Sequence, residues 1–306
     1  MPLAFQTQRV NLNSTAYFHF NGDICLGNYV VGGTLFSLYY PDFNAYTVRE
    51  LDMSLTHGMQ DAQTVYVTVT GNLEDDNHHV ADPKSGALVT VIAWVGTSDQ
   101  PTLVMENVTG VAQSSPYAFD IPPNALEVYT FLAGIHLTLP EQQEISEWSA
   151  SCVANVDPIN KRVTISGDSL LNGVHGTVDV GFVVTTSASA PFQIITASES
   201  ESTIPFPHPI DGVCSLLTSF GGDFSGGDVI LMAADGEVFV DDPYPTSSVT
   251  AGFGVNIVNH SHGTENGNVN ATLIGLSSAS RATPVALPTI RARLFRPSAP
   301  GPGQAR

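Results

Sequence analysis

The chain has 306 residues, 42% of them hydrophobic and 13% charged, and its 29 acidic residues against ten Lys and Arg leave a net charge of −19. That apolar content suffices for a buried core and excludes a disordered chain. The acidity disfavours general binding to DNA or RNA, whose affinity comes largely from cations that release counterions. The charge is also divided: residues 1–280 hold all 29 acids and five of the cations, a net of −24, while 281–306 hold Arg281, Arg291, Arg293, Arg296, Arg306 and no acid.

At the N-terminus no positive segment leads into an apolar stretch, and no run approaches eighteen apolar residues, so neither a signal peptide nor a membrane span is expected. Four Asn-x-Ser/Thr patterns, at Asn13, Asn107, Asn259 and Asn270, are no more than an Asn-, Ser- and Thr-rich chain produces by chance. Short β-branched and aromatic runs separated by Gly, Pro, Asn and Asp follow, over 63–70, 86–95, 126–132, 161–166, 176–186, 228–232 and 249–258. This pattern predicts strands and turns. In 63–70, Val65, Val67 and Val69 alternate with Tyr66, Thr68 and Thr70, which marks one buried and one wet face. The single helix expected is 140–149, with Pro140 in its first turn and Glu141, Glu144 and Glu147 near its positive end. The Pro-interrupted stretch 187–213 reads as an irregular surface connection.

The fold expected is therefore all-β, with antiparallel β-sandwich or jelly-roll-like modules, long loops and little helix. A weak similarity between 51–97 and 135–187, at an offset near 85 residues, reads as two antiparallel sandwiches converging on one pattern ahead of a divergent repeat. The expected organisation is a β-sandwich module over 1–133, a second over 134–280, and a basic Pro/Gly-rich arm over 281–306.

The densest polar cluster is Glu74, Asp75, Asp76, Asn77, His78 and His79, followed by Asp82. Its oxygens suit Ca²⁺ and its imidazoles a transition metal, so Asp75, Asp76, His78 and His79 are candidate ligands, although the spacing matches no EF-hand or zinc pattern. No cofactor is otherwise expected. His260 and His262 would share one face of a strand end. Asp241 and Asp242, with Asp235 and Glu237 nearby, and Asp223 and Asp228 in GGDFSGGD suit either Ca²⁺ or turns. That glycine-rich stretch carries acids and no Lys, which would repel a phosphate. Gly-x-Ser-x-Gly is absent, and Cys25, Cys152 and Cys214, odd in number and far apart, read as buried free thiols. Tyr39, Tyr40, Tyr117, Trp148 and Tyr244 could stack on a sugar, though the core claims such residues more often.

The function expected is a non-enzymatic structural one: a self-assembling β-sandwich subunit of a viral capsid or virion surface. Arg281, Arg291, Arg293, Arg296 and Arg306 would contact acidic neighbouring subunits, and only this arm could touch nucleic acid. The alternative is a carbohydrate-binding or adhesion protein of lectin type, with a glycan as partner. A glycoside-active enzyme comes third, because paired carboxylates are always available among 29 acids.

Overall fold

The computed structural model describes residues 3–41, 44–96, 103–121, 125, 127–157, 159–185, 192–198, 203–239, 244–259 and 265–277. They form nineteen β-strands joined in antiparallel ladders, with no α-helix among them. All seven stretches expected to be strands are strands. In the first of them Val65, Val67 and Val69 are fully buried while Tyr66, Thr68 and Thr70 are half-buried, as the alternation requires.

Six strands make up the first unit: β1 (Leu3–Asn11), β2 (Ser14–His19), β3 (Ile24–Tyr39), β4 (Val48–Met59), β5 (Thr64–Glu74) and β6 (Gly86–Val95). The first pairs with the last, which pairs with the third, and the second pairs with the fifth, which pairs with the fourth. The two three-stranded layers bury their facing side chains together, a small sandwich of six strands rather than the eight of a jelly roll.

The same connectivity recurs twice. In the second unit β7 (Leu103–Val111), β8 (Tyr117–Asp120), β9 (Glu127–Gln143), β10 (Ile145–Asp157), β11 (Arg162–Leu171) and β13 (Thr177–Thr185) take the six roles, with the short β12 (Val174–His175) added. In the third, β14 (Phe192–Ser198), β16 (Val229–Phe239), β17 (Thr246–Asn259) and β19 (Asn268–Ser277) take roles one, four, five and six, and β18 (Glu265–Asn266) is added. The long β15 (Thr203–Gly227) fills roles two and three, pairing first with β17 and then with β19.

The units share even an irregularity. A β-bulge in the third strand opposite the sixth leaves Thr34, Ala133 and Thr218 as the extra residue in units one, two and three. The fourth strand of each unit pairs with the third strand of the next, as β4 with β9, β10 with β15 and β16 with β3, so the three close into a ring. The register repeats at each seam: the residue after the bulge, Gly134, Ser219 or Leu35, faces Ser54, Ser151 or Asp235. By hydrogen bonding the strands fall into a six-stranded sheet, β2-β5-β4-β9-β13-β7, and a thirteen-stranded one that β15 holds together by its double role.

At the centre of the ring equivalent residues meet. Leu3, Leu103 and Phe192 from the first strands and Ile92, Val183 and Ile274 from the sixth strands belong to one buried cluster. Gly32, Phe131 and Leu216, each two residues before a bulge, converge so tightly that a Cβ on Gly32 would meet the other two side chains. Thr34 donates its hydroxyl to the carbonyl of Ser215 in unit three, and Thr218 repeats the bond to Thr130 in unit two. Ala133 has no hydroxyl to complete the cycle to Val31, and there the Asn107 carboxamide bonds Val31 instead, at 2.7 Å to its carbonyl and 2.9 Å from its N–H.

Several expectations are corrected. The boundary at 133/134 falls inside β9, and the ladders across β9 and β15 make three interlocked units where two modules were expected. The sixth strands β6 and β13 do correspond, but β4 corresponds to β10 rather than to the end of β9. Residues 140–149 are not a helix but the end of β9 and the start of β10. Ile145 and Trp148 are both buried at a helix-like spacing because a register shift between Ile145 and Glu147 reverses the strand's inward face. Within 187–213, residues 192–198 and 203–213 are strand, and Pro207 and Pro209, which cannot donate to a ladder, lie between the pairing of Pro205 to β17 and that of Gly212 to β19.

Candidate functional site

Where β4 meets β9 at the first seam, four strands bring together side chains that sequence spacing gave no reason to group. His136 on β9 places Nδ1 against Asp52 of β4 and Nε2 3.0 Å from Asp179 of β13. The Asp179 carboxylate also accepts the N–H of Gly110 at 3.0 Å and the Ser54 hydroxyl at 3.3 Å. Gly134 makes room for it, since a Cβ there would lie 2.6 Å from Asp179 Oδ2. Beside them His57 hydrogen-bonds through Nδ1 to the Tyr29 hydroxyl at 3.0 Å. An open hollow of about 490 Å³ is lined by Ser54, Thr56, His57, Thr109, His136 and Asp179.

Burial opposes a charge on His136, but its hydrogen bonds to Asp179 and Asp52 and their charges outweigh it and push its pKa up to about 10. Asp179 is buried, which would raise its pKa, yet the His136 hydrogen bond and charge, the Gly110 N–H and Ser54 hold it below the usual carboxylate range. Burial lowers His57, against the pull of Asp179.

Ser54, His136 and Asp52 have the outline of a hydrolytic triad, with 3.5 Å between Ser54 Oγ and His136 Nε2. A triad histidine must accept the hydroxyl proton on that nitrogen. Here Nε2 already faces Asp179 and the ring is an imidazolium at neutral pH, so this constellation supplies a lock and not a general base. It ties unit one to unit two through three strands.

The acidic loop after β5 is also self-contained. Asp75 is buried and accepts the His79 imidazole at 2.7 Å and the N–H groups of Asn77 and His79. Burial would raise its pKa, but those bonds hold it below the usual range. His78 pairs with Glu74 at 3.0 Å, Asp76 with Arg49 at 2.6 Å, and the His79 ring stacks on Tyr46. Of the four candidate ligands, Asp75 and His79 face each other while Asp76 and His78 turn to Arg49 and Glu74, and among the described residues no group of three or more His, Cys, Asp or Glu is placed to hold a metal ion. Asp82 caps a turn by accepting the Lys84 N–H.

Asp235 is buried, and Asp223 lies in β15, so GGDFSGGD is largely strand rather than turn. Tyr40 and Trp148 are core residues, Tyr39 and Tyr117 are half-buried, and Tyr244 is exposed. Cys152 and Cys214 are buried free thiols and Cys25 is half-buried. His260, His262, Asp241, Asp242 and Arg281, Arg291, Arg293, Arg296 and Arg306 lie outside the described residues, as does the Glu237 side chain. Among the described residues no helix is long and apolar enough to cross a membrane.

Comparison with protein-family models, curated proteins and solved structures gave no match to this chain.

Proposed function

We propose that this chain is a non-enzymatic structural protein, a self-assembling subunit of a viral capsid or virion surface whose C-terminal arm contacts neighbouring subunits. The observation that carries the reading is the ring itself: three copies of one sandwich joined edge to edge by main-chain ladders, with the best-developed polar cluster locking a seam between them. Such a body is rigid and presents quasi-equivalent faces to neighbours, which suits a lattice or a surface knob. The five arginines of 281–306 beside a body of net charge −24 give a complementary contact between copies. Electron microscopy and light scattering on the full chain and on a chain ending at Arg281 test it. Particles from the full chain that are lost or weakened on truncation are expected; a full chain that stays monomeric at high concentration refutes the reading.

A second reading, carbohydrate binding, is favoured by the hollow at the first seam, which the exposed Thr56 and Thr109 line together with the half-buried His57. Hydroxyls beside an aromatic ring suit a neutral sugar. Glycan-array binding that falls on replacing Thr56 and Thr109 with Val would support it, and an array without signal would remove it.

A further inference from the structure

The first two strands of a unit are edge strands on opposite layers, and the three units differ in how that edge is closed. In unit one Phe20 donates its N–H to Gln63, so strand alternation turns the main-chain groups of Tyr17 and His19 away from β5. Glutamines of β1 cover them: Gln8 donates its amide to the Tyr17 carbonyl at 3.2 Å, and Gln6 donates to that of His19. In unit three Gln193 of β14 donates to the His208 carbonyl and accepts the His208 N–H, both at 2.8 Å.

Unit two lacks these caps. The matched registers align Gln6 with Glu106, Gln8 with Val108, Tyr17 with Ala118 and His19 with Asp120. Ile121 donates its N–H to Lys161, so Ala118 and Asp120 point outward by the same alternation. Among the described residues no hydrogen bond reaches their main chains from that side. Glu106 has no amide to give and accepts the Tyr117 hydroxyl at 3.4 Å instead. Val104, aligned with Gln193, is 37% exposed. An unpaired edge beside an exposed apolar side chain is a template for one more strand.

We propose that residues 289–296 of the same chain add to β8 as an antiparallel strand, with Ile290, Ala292 and Leu294 turned inward past Val104 and with Arg291 and Arg293 turned outward. The stretch TIRARLFR alternates as a strand covering an apolar edge must, and Pro288 and Pro297 bound it. Where β19 stops sets the direction. Ser277 corresponds to Val95, which pairs with Ile24 shortly after the end of β2 at His19. The chain therefore leaves β19 at the end of the ring where β8 stops at Asp120, and a segment turning back from there runs antiparallel to β8. Residues 278–288 span up to about 36 Å when extended, against about 15 Å for the width of a three-stranded layer. That tether holds the segment at an effective concentration on the order of millimolar, which a second copy must match. The docking goes beyond the reading of the arm as an inter-subunit contact: it fixes how the arm is held and leaves its arginines, beside the exposed Glu106 and Asp120, facing a neighbour.

Hydrogen exchange read by mass spectrometry over 117–121 tests the proposal, on the full chain and on a chain ending at Arg281. The amides of Ala118 and Asp120 should exchange at least about tenfold more slowly in the full chain, at every concentration. Ala292→Pro with Phe295→Pro keeps length and charge but removes an N–H of either parity, and should exchange as the shortened chain does. Arg291→Gln with Arg293→Gln should stay protected, because the ladder and the apolar side hold the strand. Residues 14–19, whose edge the glutamines already close, should be unchanged throughout. Equal exchange in the full and shortened chains overturns the proposal, as does loss of protection in the arginine pair as large as in the proline pair. Acceleration that spreads to 14–19 means general loosening and overturns it too. Protection that falls on dilution to monomer assigns the strand to a second copy, again against the proposal. A chain that assembles without this protection refutes only the added strand, and one that is protected yet always monomeric refutes only the structural reading.

Discussion

Gly32 lies against Phe131 so closely that a Cβ on the glycine would sit 2.6 Å from the ring's Cδ2, and 2.7 Å from Cδ2 of Leu216. The three residues are equivalent members of three units, and the ring closes at its centre only because one of them has no side chain. Gly32→Val should therefore destabilise the whole fold by about 1–3 kcal/mol or more, the cost of overpacking a closed core. Chemical denaturation checks it, and an unchanged midpoint would show that the centre is loosely packed.

The His136 lock sets a pH dependence. Its folded pKa of about 10 lies above an unfolded value of about 6.5, so its stabilisation is complete below pH ~6.5 and is lost as pH rises through 10. Asp179, depressed in the folded state, contributes above its unfolded value of about 3.9 and loses that contribution as pH falls through its folded value. Discounted for the partial exposure of the ring, the histidine contributes about 2 kcal/mol. Stability measured against pH should lose its decline between pH 7 and 10 in His136→Gln; a decline of the same size in the variant would place its origin elsewhere.

Asn107 substitutes for the hydroxyl that Ala133 lacks, and its carboxamide satisfies both the N–H and the carbonyl of buried Val31. Asn107→Ala should cost about 2–4 kcal/mol, because two buried backbone groups lose a partner. Thr34→Val, which removes a single donor at 2.7 Å to Ser215, should cost less. Calorimetry that ranked them in reverse would contradict this division of labour.

Burial pushes Cys152 up to about 12 and raises Cys214 further, so neither presents thiolate to solvent near neutral pH. A thiol-reactive dye at pH 8 should label Cys25 in the native protein and all three thiols after denaturation. Native labelling of Cys214 would show that the central cluster opens.

Because the seams are main-chain ladders, the connections between units carry little of the structure. A protease site inserted between Gly96 and Leu103 should leave the cut halves together through β4·β9 and β16·β3 in gel filtration without denaturant. Separation of the halves would mean that the covalent link does the work assigned to the ladders.

Strand positions were legible because alternation such as Val65, Val67, Val69 is local. The threefold repeat was not, since the extra residues Thr34, Ala133 and Thr218 are spaced unevenly and share neither identity nor a common degree of burial. The helix expected over 140–149 rested on Pro140 and on Glu141, Glu144 and Glu147, which line the end of β9 and the start of β10 instead. Of the polar lock, one signal was present: Asp179 interrupts the apolar run of β13, and a buried carboxylate needs a partner. His136 and Asp52 lie too far along the chain for spacing to name them.

Native mass spectrometry of the full chain across a range of concentrations tests the central claim most directly. The account predicts a discrete assembly at a multiple of 32.4 kDa that dissociates as salt screens the arm. A single species at 32.4 kDa at every concentration and salt would contradict it.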